Sequence, residues 1–582
     1  MHARRWNARR NVWINATLAI GLALCGPLTA SAQGPHRVPE PYTPAKDAKD
    51  LKAVLFNWMR NMGMLRGHDE RDMVAMLEYQ GKGVIQVDGQ PCTLTKYRAS
   101  TNYQTFSQRI QYACTLPNGQ THSNIEVVSG FYAWDEDTPG AEIAGTKGKV
   151  TPMPGTVEER LIRLWASPQG APKAAVAGTS DTFWLGANPG TLFADSLSKV
   201  GRTSVSWESG KPAVTFPIPG VSGATATATL DANYLTERVV VNMGSTTREF
   251  TYGAYDDWNN PLNKIEVLYA GKMVERRNGA VLRDLTTTQT ETGNIYVVAP
   301  VPASVRAAIQ VARELPRGVI AKTEPPIDKS IPTPMLDGHP DFTGNWSYTD
   351  WIGNYMTGGG RRCAPTQKQP CDRQDNQTYD FELYSPSRFG ILNRPVYKPE
   401  NWDKVQQLDM WTNKYDPVMT CQPLGVPREG PPRRIVQSDK DVILFYLGGD
   451  AGGGYGEYRI IPTDNRQHDP QKAILATYLG YTVGRWDGDT LVLDSISFVD
   501  STWLGRGGFF HSDNMHVVEK FRREGDVILY DVTVEDPDVL AEPWVLPTRI
   551  LRRSTNPNAG LLPERGDCEV YETKDISSQI RH

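Results

Sequence analysis

Apolar and polar residues alternate along most of this chain, in short runs broken by turn residues about every eight to twelve positions. Met76–Val87, Thr93–Ser100, Gln108–Thr115, Asn124–Ala133, Ser204–Trp207, Ala213–Phe216 and Ala224–Leu230 carry the period of a strand. Tyr234–Asn242, Thr246–Tyr252, Lys264–Tyr269, Lys272–Arg276, Val281–Glu291 and Tyr296–Val298 continue the series. So many strands in succession predict a large, curved antiparallel sheet. Helical spacing is rarer. Leu51, Val54, Leu55, Trp58, Met59 and Met62 recur at i, i+3 and i+4 within Asp47–Gly67, which predicts a helix packed on that sheet. Val157–Trp165 and Ala303–Glu314 read as further helices.

Prolines at 325, 326, 332, 334 and 340 mark a semi-rigid linker over 316–340. It separates an N-terminal antiparallel β domain, 47–315, from a C-terminal domain, 341–582. The second domain resumes the alternation at Asp441–Tyr446, Tyr455–Ile461, Gly480–Trp486, Thr490–Phe498, His516–Arg522 and Val527–Val534. These strands predict a closed barrel. An insertion over 354–421, rich in Pro, Tyr and Trp, interrupts the pattern and reads as a lid over one mouth. The aromatics in and just before it, Trp351, Tyr355, Tyr379, Tyr384, Tyr397, Trp402, Trp411 and Tyr415, suit an apolar or aromatic small molecule.

The ends set the expected compartment. Arg4, Arg5, Arg9 and Arg10 precede an apolar run and the small-residue site Ala30-Ser31-Ala32, the pattern of a secretory signal over 1–32. A Pro-rich lead-in, 33–46, follows. A periplasmic or secreted protein is expected, with no membrane span. Six cysteines remain after cleavage, and export favours disulfides. Cys92 and Cys114 flank a hairpin, Cys363 and Cys371 bracket a short loop, and Cys421 is left to meet Cys568. Across the 582 residues the net charge is −4, with neither a basic patch for nucleic acid nor a charged tail. The sequence sets no oligomeric state.

The N-terminal pattern resembles the curved, helix-filled sheets of periplasmic lipoprotein-carrier folds. Gly344-Asn345-Trp346, at the entry to the second domain, is similar to the lipocalin signature, in which the Trp closes the barrel floor. Four motifs, Phe342–Trp346 (F-x-G-x-W), Cys421–Arg428 (C-x-P-x-G-x-P-R), Trp486–Leu491 (W-D-G-D-T-L) and His511–His516 (H-S-D-x-x-H), resemble a widespread group of exported bacterial proteins. That group has no settled activity, so the resemblance implies a real domain. The fold class expected is mainly β: a curved antiparallel sheet with packing helices, then a lipocalin-like β-barrel.

Titratable residues crowd into one stretch of the barrel domain. Asp487, Asp489, Asp494, Asp500, His511, Asp513 and His516 suit acid–base chemistry or a metal. In an extended chain His511 and Asp513 face one side, about 6.8 Å apart. His511 is then the base, Asp513 its orienting partner, and His516 or Asp500 the complementary acid. Trp503, Arg459, His468 and Tyr458 are the candidate substrate contacts, with Arg459 or His468 suited to a developing oxyanion. Asp487-Gly488-Asp489 reads as a hairpin turn. Gly448–Gly456 has the glycines of a phosphate loop without its Lys-Ser/Thr ending. No serine-hydrolase elbow, zinc-peptidase helix motif or dinucleotide fingerprint is present.

These residues are expected to serve a cofactor-independent lyase, hydratase or isomerase, or an ether-cleaving enzyme, acting on an apolar or aromatic small molecule. Two alternatives stay open: a periplasmic carrier of a hydrophobic ligand, and a metal-dependent hydrolase built on His511, Asp513 and His516. Imidazoles converging with a carboxylate on one cavity favour chemistry; imidazoles pointing apart favour the carrier.

Overall fold

Two strand meanders share a seam, and their union makes a sheet of thirteen antiparallel strands. The first meander runs Met76–Val87, Gln90–Asn102, Ser107–Thr115, Thr121–Ser129, Tyr132–Glu136 and Val150–Pro152. The second runs Ser204–Glu208, Lys211–Pro217, Thr225–Leu230, Thr236–Met243, Thr246–Asp256, Tyr269–Arg277 and Ala280–Thr292. Met76–Val87 pairs with Ala280–Thr292 to join them. Register shifts at Gln80/Val84, Leu94/Lys96, Glu275/Arg276 and Thr287/Gln289 place bulges near the seam. Each bulge bends its strand and increases the local twist, so the sheet curves. At Gly83, with φ of 144°, a Cβ would lie 2.0 Å from the Asp284 carbonyl oxygen. Only glycine permits that approach.

These are features of a computed structural model, which describes residues 42–66, 71–72, 74–103, 105–179, 202–257, 267–292, 295–311, 327–347, 394–410, 415–446, 457–505, 507–546 and 548–554. The export segment, Cys363, Cys371, Cys568, the glycine run and Trp351, Tyr355, Tyr379, Tyr384 and Trp411 lie outside the described residues.

Helices fill the hollow of the sheet. Helix α1, Leu51–Asn61, begins where the Asp50 side chain accepts from the Ala53 N–H at 3.1 Å, and Gly63 turns the chain away after its end. Its Leu55, Trp58 and Met59 are buried, and the Trp58 indole donates to Thr236 Oγ1 at 2.9 Å. Helix α2, Val157–Trp165, carries Glu158 and Glu159 in its first turn and Arg163 in its last, which suits its dipole. Helix α3, Gly170–Ala177, is buried from Gly170 through Val176. It lacks the amphipathic contrast that makes a helix readable in sequence.

The second sheet has ten strands and is nearly closed. Its order is Tyr458–Pro462, Asp441–Phe445, Arg434–Gln437, Gly344–Ser347, Arg549–Arg553, Val527–Glu535, His516–Glu524, Thr490–Ile496 and Tyr481–Asp487, with Trp544–Val545 also on Val527–Glu535. The two ends of that order meet where the Asn465 N–H donates to the Gly484 carbonyl at 3.3 Å. Trp346 is buried, with the Arg553 guanidinium 4.4 Å from its ring centroid. The chain is therefore mainly β, a curved antiparallel sheet followed by a barrel, as the alternation implied.

Cys92 and Cys114 are joined by a disulfide. Cys421 is also disulfide-bonded, to a partner outside the described residues. Two aromatics of the insertion take part in packing. Tyr397 is buried with its N–H on the Tyr296 hydroxyl at 2.9 Å, and the Arg109 guanidinium lies 4.5 Å from the Trp402 ring centroid. Trp402 opens a helix, Trp402–Met410, and its indole donates to the Tyr397 carbonyl at 2.8 Å. Among the described residues, no helix is long and apolar enough to cross a membrane.

Candidate functional site

Strand register assigns the titratable residues of the barrel to opposite faces. Leu493 pairs with Glu519 and Ser495 with Val517, and all four side chains are buried within the barrel. Asp494 and His516 stand one residue out of phase, so they project outward. His516 pairs with Glu535 across the next strand. His468, on the connection after Tyr458–Pro462, reaches the same place.

There Asp494 Oδ1 bridges two imidazoles, with His468 Nε2 at 2.9 Å and His516 Nε2 at 3.0 Å. Each Nε2 donates its hydrogen to the carboxylate. The other ring nitrogen of His516 lies 3.3 Å from Glu535 Oε2. His468 Nδ1 is buried without a partner among the described residues. Hydrogen bonding from His516, and then from His468, holds the Asp494 carboxyl down to about 2. The same bond to Asp494 raises the His516 imidazole above its usual range. The arrangement can hold or pass a proton, but it sits on the outer wall. Among the described residues no three His, Cys, Asp or Glu side chains are grouped to hold a metal.

His511 lies apart from this cluster. Its Nδ1–H donates to the Ser512 carbonyl at 2.7 Å, and its Nε2 accepts from the Thr502 hydroxyl at 2.7 Å. Burial pushes its imidazole below the usual range. Asp513 and Asp500 are exposed, and no hydrogen bond joins either to His511. The carboxylate that organises this loop is Asp536, which takes the Ser512 N–H at 2.7 Å and the Ser512 hydroxyl at 2.8 Å. The H-S-D-x-x-H motif therefore acts as three anchors, to Thr502, Asp536 and Asp494.

The remaining candidates also separate. Trp503 is buried and forms a β-bridge with Phe510. Tyr458 is exposed, whereas its neighbour Arg459 points into the barrel. There Arg459 makes a two-pronged pair with the fully buried Glu519, at 2.6 and 2.9 Å. Tyr530 donates to Glu519 at 2.6 Å, and Arg459 Nε donates to the Tyr446 hydroxyl at 2.9 Å. The guanidinium has its counter-charge already, so it is not poised for an oxyanion. Leu491, Leu493, Phe521, Ile528 and Val532 fill the space around it. The Asp487-Gly488-Asp489 segment is a hairpin turn, with Asp487 opposite Thr490 and positive φ at Gly488.

A partly open cavity lies in the other half of the molecule, between the curved sheet and the segment after α2. Leu77, Phe250, Met273 and Leu285 supply its apolar wall, and Tyr79, Tyr97, Tyr252 and Tyr269 bring hydroxyls to it. The Tyr79 and Tyr97 hydroxyls are 3.2 Å apart, and Tyr252 donates to the Ala166 carbonyl at 2.6 Å. Burial pushes the Tyr79, Tyr252 and Tyr269 hydroxyls well above their usual range, so they stay protonated. Sequence reasoning passed over this site. The available signal was a hydroxyl-bearing aromatic at inward positions of neighbouring strands, such as Tyr79 and Tyr97.

No family model matches the chain, and no curated protein does. Among solved structures it is similar to a LolA superfamily protein from Nitrosomonas europaea, at 8% identity and a TM-score of 0.21, over 42% of this chain and 94% of that one. A likeness at that score says nothing of ligand or activity.

Proposed function

We propose that the protein binds a small apolar or aromatic molecule in the tyrosine-lined cavity of its curved sheet and acts as a carrier in an exported compartment. The observation that carries this reading is the cavity: an apolar wall with a few placed hydroxyls is the usual make-up of a small-molecule site. The barrel interior, by contrast, is occupied by side chains and by the Arg459–Glu519 pair. His511 and His516 do not share a cavity, which also favours the carrier. Export is supported by the Cys92–Cys114 disulfide together with the signal pattern of the first 32 residues.

The test is a titration with the neutral fluorescent probe N-phenyl-1-naphthylamine, on the wild type and on Leu285→Trp, which fills the cavity. Saturable binding weakened at least about tenfold in the variant, with an unchanged circular dichroism spectrum, is expected. Equal binding by both proteins rules the site out.

A second reading, acid–base chemistry, is favoured by one observation: Asp494 holds two imidazoles at once. In that case His468, Asp494 and His516 replace the His511–Asp513 pair as the proton-handling groups of a lyase, hydratase or isomerase. Asp494→Asn then abolishes conversion of a co-purifying ligand, as read by native mass spectrometry. A ligand left unaltered by both wild type and variant rules this reading out.

A further inference from the structure

Charge in the cavity wall is already balanced from within. Arg283 makes a two-pronged pair with Glu126 at 2.8 and 3.0 Å, and approaches Glu275 at 3.4 Å. Arg163 reaches Glu126 at 3.2 Å, Glu275 at 3.2 Å and Glu159 at 3.3 Å. Arg248 binds Glu159 at 3.1 Å and also Glu275. Three arginines thus face three glutamates beside the tyrosines. Arg163, Arg283 and Glu275 reach the cavity wall with their charges paired within this network, and Arg283 Nη1 also donates to the Tyr97 hydroxyl at 3.3 Å.

Most of the other polar groups in the wall are spoken for as well. Gln108 donates to Thr101 at 3.0 Å, and the Tyr103 hydroxyl lies 3.0 Å from Ser167 Oγ. Tyr269 differs: among the described residues, nothing hydrogen-bonds its hydroxyl. It stands in the cavity wall as an unused neutral donor and acceptor.

Resting on the binding function proposed above, we propose that the cavity takes an uncharged aromatic or apolar molecule whose hydroxyl or carbonyl hydrogen-bonds Tyr269, and that it excludes carboxylates. An ionised ligand would lose its hydration and find no unpaired cation. A neutral one gives up little and gains the Tyr269 hydroxyl.

Displacement of N-phenyl-1-naphthylamine at pH 7.5 by 1-naphthol and by 1-naphthoate tests this, because the two differ mainly in charge. The expected result is displacement by 1-naphthol at a concentration at least about tenfold below that needed for 1-naphthoate, a preference reflecting the unpaired buried charge. Tyr269→Phe is expected to weaken 1-naphthol by about fivefold, one net hydrogen bond, while leaving naphthalene unchanged. Glu126→Gln frees positive charge on Arg283 and Arg163 and is expected to improve 1-naphthoate relative to 1-naphthol. Equal or better displacement by 1-naphthoate in the wild type overturns the charge selection but leaves the binding function standing. A probe that binds without regard to Leu285→Trp overturns both.

Discussion

The two sheets solve the same problem of burial in opposite ways. The barrel brings its first and last strands together around a filled interior, so its centre is occupied by Phe521, Tyr530 and the Arg459–Glu519 pair. The thirteen-stranded sheet stays open and borrows α1, α2 and α3 to cover its hollow. Helices do not match a curved sheet everywhere, and the mismatch leaves a cavity. Charge follows the same division. Inside the barrel the Arg459–Glu519 pair is buried, whereas the open sheet spreads several arginines and glutamates beside its tyrosines. The nearly closed sheet is filled by its own side chains, and the open one, covered by helices, keeps a cavity.

The strongest way to break this comparison is to disturb the buried pair of the barrel. Glu519→Ala leaves Arg459 buried and uncompensated, and is expected to destabilise the barrel by about 3–5 kcal/mol in chemical denaturation. The double change Arg459→Met with Glu519→Leu should restore most of that loss, since an apolar replacement removes both charges. A double variant as unstable as the single one would mean the pair acts through its hydrogen bonds to Tyr446 and Tyr530.

Next in size is the disulfide. The 22-residue separation of Cys92 and Cys114 predicts a loss of about 3 kcal/mol when both become alanine, on loop-entropy grounds. The bridge links neighbouring strands already held by their ladder, so a smaller loss would locate the restraint in the hairpin itself. Smaller again is Leu285→Trp. If the cavity is empty space, filling it should cost about 1 kcal/mol or less, against about 1–3 for overpacking a dense core. A similar aromatic substitution at Leu493, inside the barrel, should show the larger value.

The smallest effect is a pH dependence in which two histidines pull in opposite directions. His516 has a raised imidazole, so its stabilisation is full below the unfolded value of about 6.5 and is lost as pH rises through its folded value. His511 is depressed, so its contribution is present above about 6.5 and is lost as pH falls through its folded value. Asp494 adds stability above about 3.9, lost only as pH falls toward 2. Imidazole NMR titration should therefore place His516 above and His511 below the free value. Asp494→Asn should return His516 toward it. The reverse order would mean that His516 lacks its bond to Asp494 and that His511 is not buried.

Much of the fold was legible because strands advertise themselves by alternation. Met76–Val87 and Val157–Trp165 fall where the pattern puts them. Arg549–Arg553 and Arg434–Gln437 did not stand out, because charged residues begin or end them and the period has too few positions to register. Helix α3 was invisible for the opposite reason, being small and buried on every side. At the candidate site, spacing along the chain misled. His511 and Asp513 are near in sequence yet unjoined, while His468 and His516 meet at Asp494 only because two strands and a loop converge. The cavity tyrosines come as two pairs, Tyr79 with Tyr97 from one meander and Tyr252 with Tyr269 from the other, and the seam brings the pairs together.

That seam and the barrel's own closure also order events in time. Ser347 meets Arg552, 205 positions further along the chain, so the strand that opens the barrel waits for one of the last to be made. Contacts of such long range are slow to form, because the loop they close must first lose its freedom. The strands of the curved sheet end at Thr292, so its ladder can assemble earlier. A chain that emerged from its N-terminus would then complete the ladder of its curved sheet while its barrel was still unzipped, which leaves the barrel half exposed to proteases and aggregation for longer.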